Sequence, residues 1–196
     1  LAVETVQEEL DRRRPGQSAI TTQRKEPDTV EILSGVQDGK TLGTPISMMV
    51  RNVDQRPAAY DEMAHTYRPS HADFCYDAKY GIRALSGGGR ASARETIGRV
   101  AAGAVAKAVV QALYPKVDVL AWVESIRDVE CSVPPHLVKR ADVEFNEVRT
   151  ADQRVAAEMS RVVREARNAG DSLGGVVACT VRNCPLGLGD PVFDKL

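Results

Sequence analysis

The sequence predicts an α+β fold, and three observations predict it. Strand-like segments alternate with helical ones, but without the strict β-α-β rhythm of a doubly wound sheet. Asp38-Gly39 sits between two of the strands, a turn pair that favours an antiparallel hairpin because glycine supplies φ > 0. From Ser92 a long run of small and apolar residues keeps helical spacing, which suits a helix packed from several sides. At 196 residues and 21.2 kDa the chain has room for a real core, and residues 1–196 read as part of a single domain.

Residues 4–14 form the first expected helix. Val6 and Leu10 share one face, and Pro15-Gly16 stops the helix. Arg12, Arg13 and Arg14 fall in its last turn, where cations complement the dipole; the default reading is a solvated basic end. Residues 17–28, including Arg24, read as a polar loop. Residues 29–36 and 44–50 are the two strands around Asp38-Gly39. Residues 51–67 read as a surface connection, with His65 an ordinary exposed histidine. In Arg68-Pro69-Ser70-His71-Ala72-Asp73, Pro69 fixes its own φ and makes Arg68 extended. From this hexapeptide alone His71 is by default structural.

Gly87-Gly88-Gly89 then feeds a helix that opens with Ser92-Ala93-Arg94-Glu95, a capping box in which Glu95 reaches back to the cap. Ile97, Val100, Ala101, Ala104, Val105 and Ala108 carry its stripe to about Leu113. Gly98, Ala102, Gly103 and Ala106 fill the other faces, so burial nearly all round is expected. Residues 117–126 read as a strand packed on that helix, and Pro134-Pro135 as a loop. A second helix spans 152–169, opened after Thr150 and closed at Gly170, with Val155, Met159, Val162, Val163 and Ala166 on its apolar face. Residues 174–181 form a further strand and 185–189 a turn.

Hydrophobic residues at 43% and charged residues at 27% describe a globular chain. No apolar run approaches the ~18–20 residues that span a bilayer. A net charge of −1 and a pI near 6.4 give no basic field for nucleic acid. Cys75, Cys131, Cys179 and Cys184 lack C-x-x-C spacing and read as buried free thiols in a reducing compartment, not as zinc ligands or a disulfide framework. The first residue is Leu rather than Met and no secretory signal precedes it, so the chain looks cut or processed at its start, and stopping at Phe193-Asp194-Lys195-Leu196 with no tail it reads as cut at its end too.

The triple glycine matches neither G-x-G-x-x-G nor the phosphate loop G-x-x-x-x-G-K-[ST]. Asp73 and Asp77 are carboxylates that no spacing selects for acid–base work. A glycine-rich turn before a helix start is nonetheless a place where backbone N–H groups hold an anion. Arg13, Arg68, Arg90 and Arg94 can converge on a polyanionic small molecule, with His71 and Ser92 close to it. Nucleic acid would use the same arginines, but the interleaved aromatics and basic surplus are missing.

The motifs Arg68-Pro69-Ser70-His71-Ala72-Asp73, Lys79-Tyr80-Gly81, Gly87-Gly88-Gly89-Arg90-Ala91-Ser92-Ala93-Arg94-Glu95-Thr96 and Arg99-Val100-Ala101-Ala102-Gly103-Ala104 closely resemble chorismate synthase. So do Asp11-Arg12-Arg13-Arg14-Pro15-Gly16, Leu33-Ser34-Gly35, Gly43-Thr44-Pro45, Asn52-x-Asp54-Gln55, Gly170-Asp171-Ser172-x-Gly174-Gly175 and Gly187-Leu188-Gly189. The resemblance covers essentially all of the chain. It implies a β-α-β sandwich with central helices between antiparallel sheets, the helix from Ser92 among them, in a homotetramer. It also implies a carbon–oxygen lyase of the shikimate pathway, in aromatic amino-acid biosynthesis. The family's reaction is 1,4-anti elimination of phosphate from 5-enolpyruvylshikimate 3-phosphate, giving chorismate. Reduced FMN is required although no net redox change occurs, and NADPH enters only where the enzyme is bifunctional.

Carried over by motif, the resemblance puts His71 against the flavin and Ser92 in a hydrogen-bond relay, the two catalytic candidates. Arg13, Arg90, Ala91, Ser92 and His71 are implied for cofactor binding. Arg13, Arg24, Arg68 and Arg94 are implied for the substrate anions. No metal, nucleic acid or membrane is expected. The family's Gly-Glu-Ser-His-Gly segment, whose histidine protonates the leaving phosphate, does not occur here. Ala19 stands where many members carry arginine, and the family continues past Leu196 with further contacts and a catalytic aspartate. The expectation is therefore a fragment truncated at both ends and inactive alone, the alternative being a non-catalytic flavin- or phosphate-binding member of the family. Glu95-Thr96-Ile97-Gly98-Arg99 and Gly175-Val176-Val177-x-Cys179-Thr180 resemble plant and algal enzymes, implying a plastid; a bacterial or fungal source implies the cytoplasm.

Overall fold

A computed structural model describes residues 1–22, 24–53, 64–85 and 89–189. The chain divides into two compact units: residues 1–17 with 23–108, and residues 18–22 with 109–196. The elements are helices and small antiparallel sheets, a mixed α+β fold as expected.

In the first unit, helix α1 (Val3–Arg13) buries Val6 and Leu10. They pack with Val30 and with Ala101 and Ala104, and Met48, Val50, Ile97 and Val100 close the cluster. Strand β1 (Val30–Ser34) follows. The hairpin forms at Asp38-Gly39, where both residues take positive φ (49° and 73°), but only as the short pair β2 (Val36–Gln37) and β3 (Lys40–Thr41). Strand β4 (Ser47–Val50) pairs with β1 in a separate antiparallel sheet, Val30 opposite Val50. The two long strands read from the sequence are therefore shorter and divided between two sheets. Gly35 causes the break: its φ is 82°, and a Cβ there would lie 2.6 Å from the Pro45 carbonyl oxygen.

Helix α2 (Asp73–Tyr80) was not legible as a helix; it ends at Gly81 in the left-handed region. Two short 3₁₀ turns, Gly89–Ala91 and Ala93–Glu95, lead into helix α3 (Thr96–Leu113). The expected capping box forms differently. The Ser92 side chain accepts from the Arg94 N–H, one residue earlier than a box requires, and Glu95 turns to Arg90 instead. Burial of α3 nearly all round is also corrected: only Ala101 and Ala104 are buried, because one layer, α1 with β1 and β4, covers it within this unit. Residues 93–113 moreover reach the length and mean hydropathy (1.2) of a membrane span by composition alone, contrary to the reading that no run approaches it. Arg94, Arg99 and Lys107 interrupt this run, the last pairing with Glu9 at 2.5 Å.

In the second unit, β5 (Asp118–Ile126) is the centre of a sheet ordered β6-β5-β7, with β6 (Val129–Glu130) and β7 (Gly175–Arg182) both antiparallel to it. Within its own unit this strand builds a core. Leu120 and Trp122 of β5 join Cys131, Val138, Val143 and Ala151, Val143 coming from the short helix α4 (Arg140–Glu144). Helix α5 (Gln153–Asn168) buries Ala156, Met159, Ser160 and Val162, a face rotated slightly from the one read. Its cap is Asp152, whose side chain accepts from the Arg154 N–H, not Thr150. All four cysteines are free thiols, but only Cys131 is buried; Cys75, Cys179 and Cys184 are exposed, which corrects the expectation for three of them.

Candidate functional site

The residues singled out by sequence lie in the first unit and fall into two groups. The first forms where α1 ends and α3 begins. Gln7 of α1 fixes the chain before β1: its Nε2 donates to the Asp28 carbonyl at 3.2 Å, and its Oε1 accepts from the Val30 N–H at 2.9 Å. This turns Asp28, at φ 45°, so that its carboxylate points inward with 0% exposure. Arg13 meets it: Nη1 donates to Asp28 Oδ2 at 2.7 Å, Nε to Thr96 Oγ1 at 3.1 Å and Nη2 to the Ala93 carbonyl at 3.4 Å.

Arg94 approaches from the start of α3. Its Nη1 lies 3.2 Å from Glu26 Oε1 and 3.6 Å from Asp28 Oδ1, and its Nη2 donates to the Arg51 carbonyl at 3.1 Å. Glu26 is 3% exposed and accepts from the Val53 N–H at 3.2 Å through Oε2. Two guanidinium groups thus balance two buried carboxylates, as burial of charge requires. Asp28 Oδ1 has no hydrogen-bond partner among the described residues.

Above this pair the turn Gly89–Ala91 exposes Arg90. Its guanidinium, 80% exposed, meets Glu95 at 2.9 Å, and that hydrogen bond raises its pKa above the ordinary value. Gly89 is required there: its φ is +50° and an added Cβ would stand 2.7 Å from the Ala84 side chain. Gly87 and Gly88 lie outside the described residues. Ser92 accepts from the Arg94 N–H at 3.2 Å, and among the described residues its own O–H has no acceptor.

The second group surrounds the start of α2. Arg68 grips Asp73 through Nε and Nη2, both at 2.8 Å, and through its backbone N–H at 3.0 Å. Arg83 adds contacts to Asp73 at 3.4 Å and to Asp77 at 3.3 Å, and its guanidinium lies 4.8 Å from the centre of the Tyr67 ring. The Arg68 hydrogen bonds hold Asp73 far below the usual carboxylate range. His71 donates its backbone N–H to the Arg68 carbonyl at 3.2 Å and is exposed, next to Ser70 at φ 60°. Arg24 is exposed too, its carbonyl against Gly16.

The structure therefore brings Arg13, Arg94 and Ser92 together, keeps Arg68 with His71, and leaves Arg90 on the surface between Gly89 and Glu95. Sequence reasoning missed Glu26, Asp28, Thr96 and Arg83. The available signal was Glu26-Pro27-Asp28, two carboxylates flanking a proline, inside a stretch read only as polar loop. Among the described residues no three His, Cys, Asp or Glu side chains are grouped to hold a metal.

The family model described as chorismate synthase matches residues 1–196. A chorismate synthase of Akkermansia muciniphila is 65% identical over 193 residues, covering 98% of this chain and 54% of that protein. One of Trichormus variabilis is 60% identical over 196 residues, covering 100% of this chain and again 54% of the relative. A crystal structure of chorismate synthase superposes with a TM-score of 0.69 at 31% identity, over 94% of this chain and 50% of that one. The chain spans about half the length of the curated relatives it matches.

Proposed function

Because the chain belongs to the chorismate synthase family, we propose that it carries the anion-binding part of a site that eliminates phosphate from 5-enolpyruvylshikimate 3-phosphate. The observation that carries this reading is the convergence of Arg13 and Arg94 on Asp28, with the Ser92 side chain accepting from the Arg94 N–H. A substrate with two carboxylates and a phosphate needs guanidinium groups fixed in advance, and a departing phosphate is stabilised by charge already in place.

In the reaction the substrate loses its phosphate and a C6 hydrogen from opposite ends of a 1,4 system. Arg13, Arg68 and Arg94, with Arg24 at the margin, bind and orient the anionic groups. Ser92 Oγ–H donates to a substrate or cofactor oxygen. His71 takes or gives a proton at its imidazole, which is open to approach. The exposed Arg90 guanidinium and the unclaimed Ser92 hydroxyl fit an oxygen-rich, anionic group, so Arg90, Ala91 and Ser92, with His71 and Arg13, would hold reduced FMN. When bound, that cofactor supplies a transient electron and help in removing the C6 hydrogen.

Titration of the chain with FMN and with 5-enolpyruvylshikimate 3-phosphate tests the site; binding of both, lost in Arg94→Ala, is expected, and absence of binding overturns it. No chorismate is expected from the 196 residues alone with reduced FMN, since no Gly-Glu-Ser-His-Gly segment lies among them. A second reading, a binding module without turnover, is favoured by one observation: Arg13, Arg68, Arg90 and Arg94 are each already paired with a carboxylate. A chimera joining this chain to the remaining segments of the Akkermansia muciniphila relative separates the two, because only an intact site restores turnover. The homotetramer expected of the family belongs with this proposal.

A further inference from the structure

We propose that Glu26 and Asp28 are positioning residues, which fix the guanidinium groups of Arg94 and Arg13 for a bound anion. The inference rests on the proposed role of those arginines in holding the substrate. Both carboxylates are buried, and each has a guanidinium group beside it. Glu26 forms an ion pair with Arg94 Nη1 through Oε1 at 3.2 Å and accepts from the Val53 N–H at Oε2. Asp28 accepts from Arg13 at Oδ2 and turns Oδ1 toward Arg94 at 3.6 Å, with no other partner among the described residues.

Only an ionised carboxylate can accept at both ends; an amide of the same shape presents N–H donors at one of them. In Asp28→Asn one end must therefore face a guanidinium donor to donor, and in Glu26→Gln one end must face either Arg94 or the Val53 N–H in the same way. The fixed end of Arg94 is its Nη1–Nη2 edge, held by Glu26, Asp28 and the Arg51 carbonyl. Its Nε–H has no acceptor among the described residues and is the donor left to a ligand. Arg13 is held at Nε, Nη1 and Nη2 alike, by Thr96, Asp28 and Ala93, so it supplies a second proton from its two Nη groups without turning.

The sign of the mutational effect decides the matter. Removing a negative charge beside two arginines raises the local positive potential, and Coulomb's law alone then predicts tighter anion binding. Loss of positioning predicts weaker binding. In the chain as it stands, Asp28→Asn and Glu26→Gln are titrated with 5-enolpyruvylshikimate 3-phosphate and with inorganic phosphate. In parallel the Nε–Hε resonances of Arg13 and Arg94 are followed by NMR, with the Trp122 indole N–H as a check on the rest of the fold. Each variant is expected to bind the substrate about tenfold more weakly, the scale of one misplaced charged hydrogen bond. The Arg94 Nε–Hε resonance shifts or broadens while that of Trp122 stays. Unchanged or tighter binding, or unmoved arginine resonances, overturns the proposal. If wild-type protein binds neither probe, the functional reading falls, and the arginine resonances still decide whether the carboxylates position these side chains. Should Asp28→Asn fail to fold, Glu26→Gln carries the same readouts.

Discussion

Arg94 Nη1 stands 3.2 Å from Glu26 Oε1, and Glu26 is almost wholly out of contact with solvent. This is an interior ion pair, and its two ends differ in what their loss does. Arg94→Ala strands a buried carboxylate and is expected to cost about 3–5 kcal/mol of folding stability. Arg94→Ala with Glu26→Ala removes both charges and is expected to recover part of that loss. Urea unfolding of the two proteins checks it; a double variant no more stable than the single one contradicts the pairing.

Asp73 gives the chain an acid limb. Arg68 holds its folded-state pKa below the ordinary 3.8, so its ionised form is favoured by folding. The stabilisation is complete above the ordinary value and disappears as pH falls from there toward the lower folded value. Asp152, lowered chiefly by its hydrogen bond from Arg154, behaves alike in the second unit. Urea midpoints measured between about pH 5 and pH 2 are expected to decline, and Asp73→Asn to flatten the decline in part. An identical slope in the variant would show that Asp73 is not the group titrating.

Ser92 caps the turn that opens α3 through its bond from the Arg94 N–H. Ser92→Ala is expected to cost about 1 kcal/mol, whereas Ser92→Thr keeps the acceptor and most of the stability. If the hydroxyl also meets a ligand, FMN affinity falls in the alanine variant by more than the stability loss explains. Equal FMN affinity in all three proteins would confine Ser92 to its structural task.

Gly35 separates the two small sheets of the first unit. Gly35→Ala places a methyl group against the Pro45 carbonyl at 2.6 Å and requires φ near 82° from a residue with a Cβ. A loss of about 2 kcal/mol or more is expected in thermal unfolding. A neutral substitution would mean that this break is not held by glycine geometry.

Much of the fold could be read locally. The α1 stripe of Val6 and Leu10, the Asp38-Gly39 turn and the Gly170 stop depend on neighbours in sequence, and they appear where spacing puts them. What failed depended on partners distant in the chain. Whether α3 is buried depends on what lies against it, and Gly98, Ala102 and Gly103 permit contact without causing it. Helix α2 has eight residues and a weakly segregated apolar face, too little for a periodic signal. At the site, the arginines were legible because their motifs are long. Glu26 and Asp28 were not, because a charged loop residue looks the same in sequence whether it faces water or a guanidinium.

Among the described residues the sheet order β6-β5-β7 leaves β7 with a strand partner on one side only, and Val176, Val177 and Val181 on it are exposed. Unclaimed backbone donors and acceptors beside β-branched side chains form a template for any extended segment. In a concentrated preparation self-association is expected to begin at this strand, and the exposed Cys179 lies within it. Oxidation at that thiol would then make a reversible contact permanent, so a reductant protects the colloidal state of the protein as well as its chemistry.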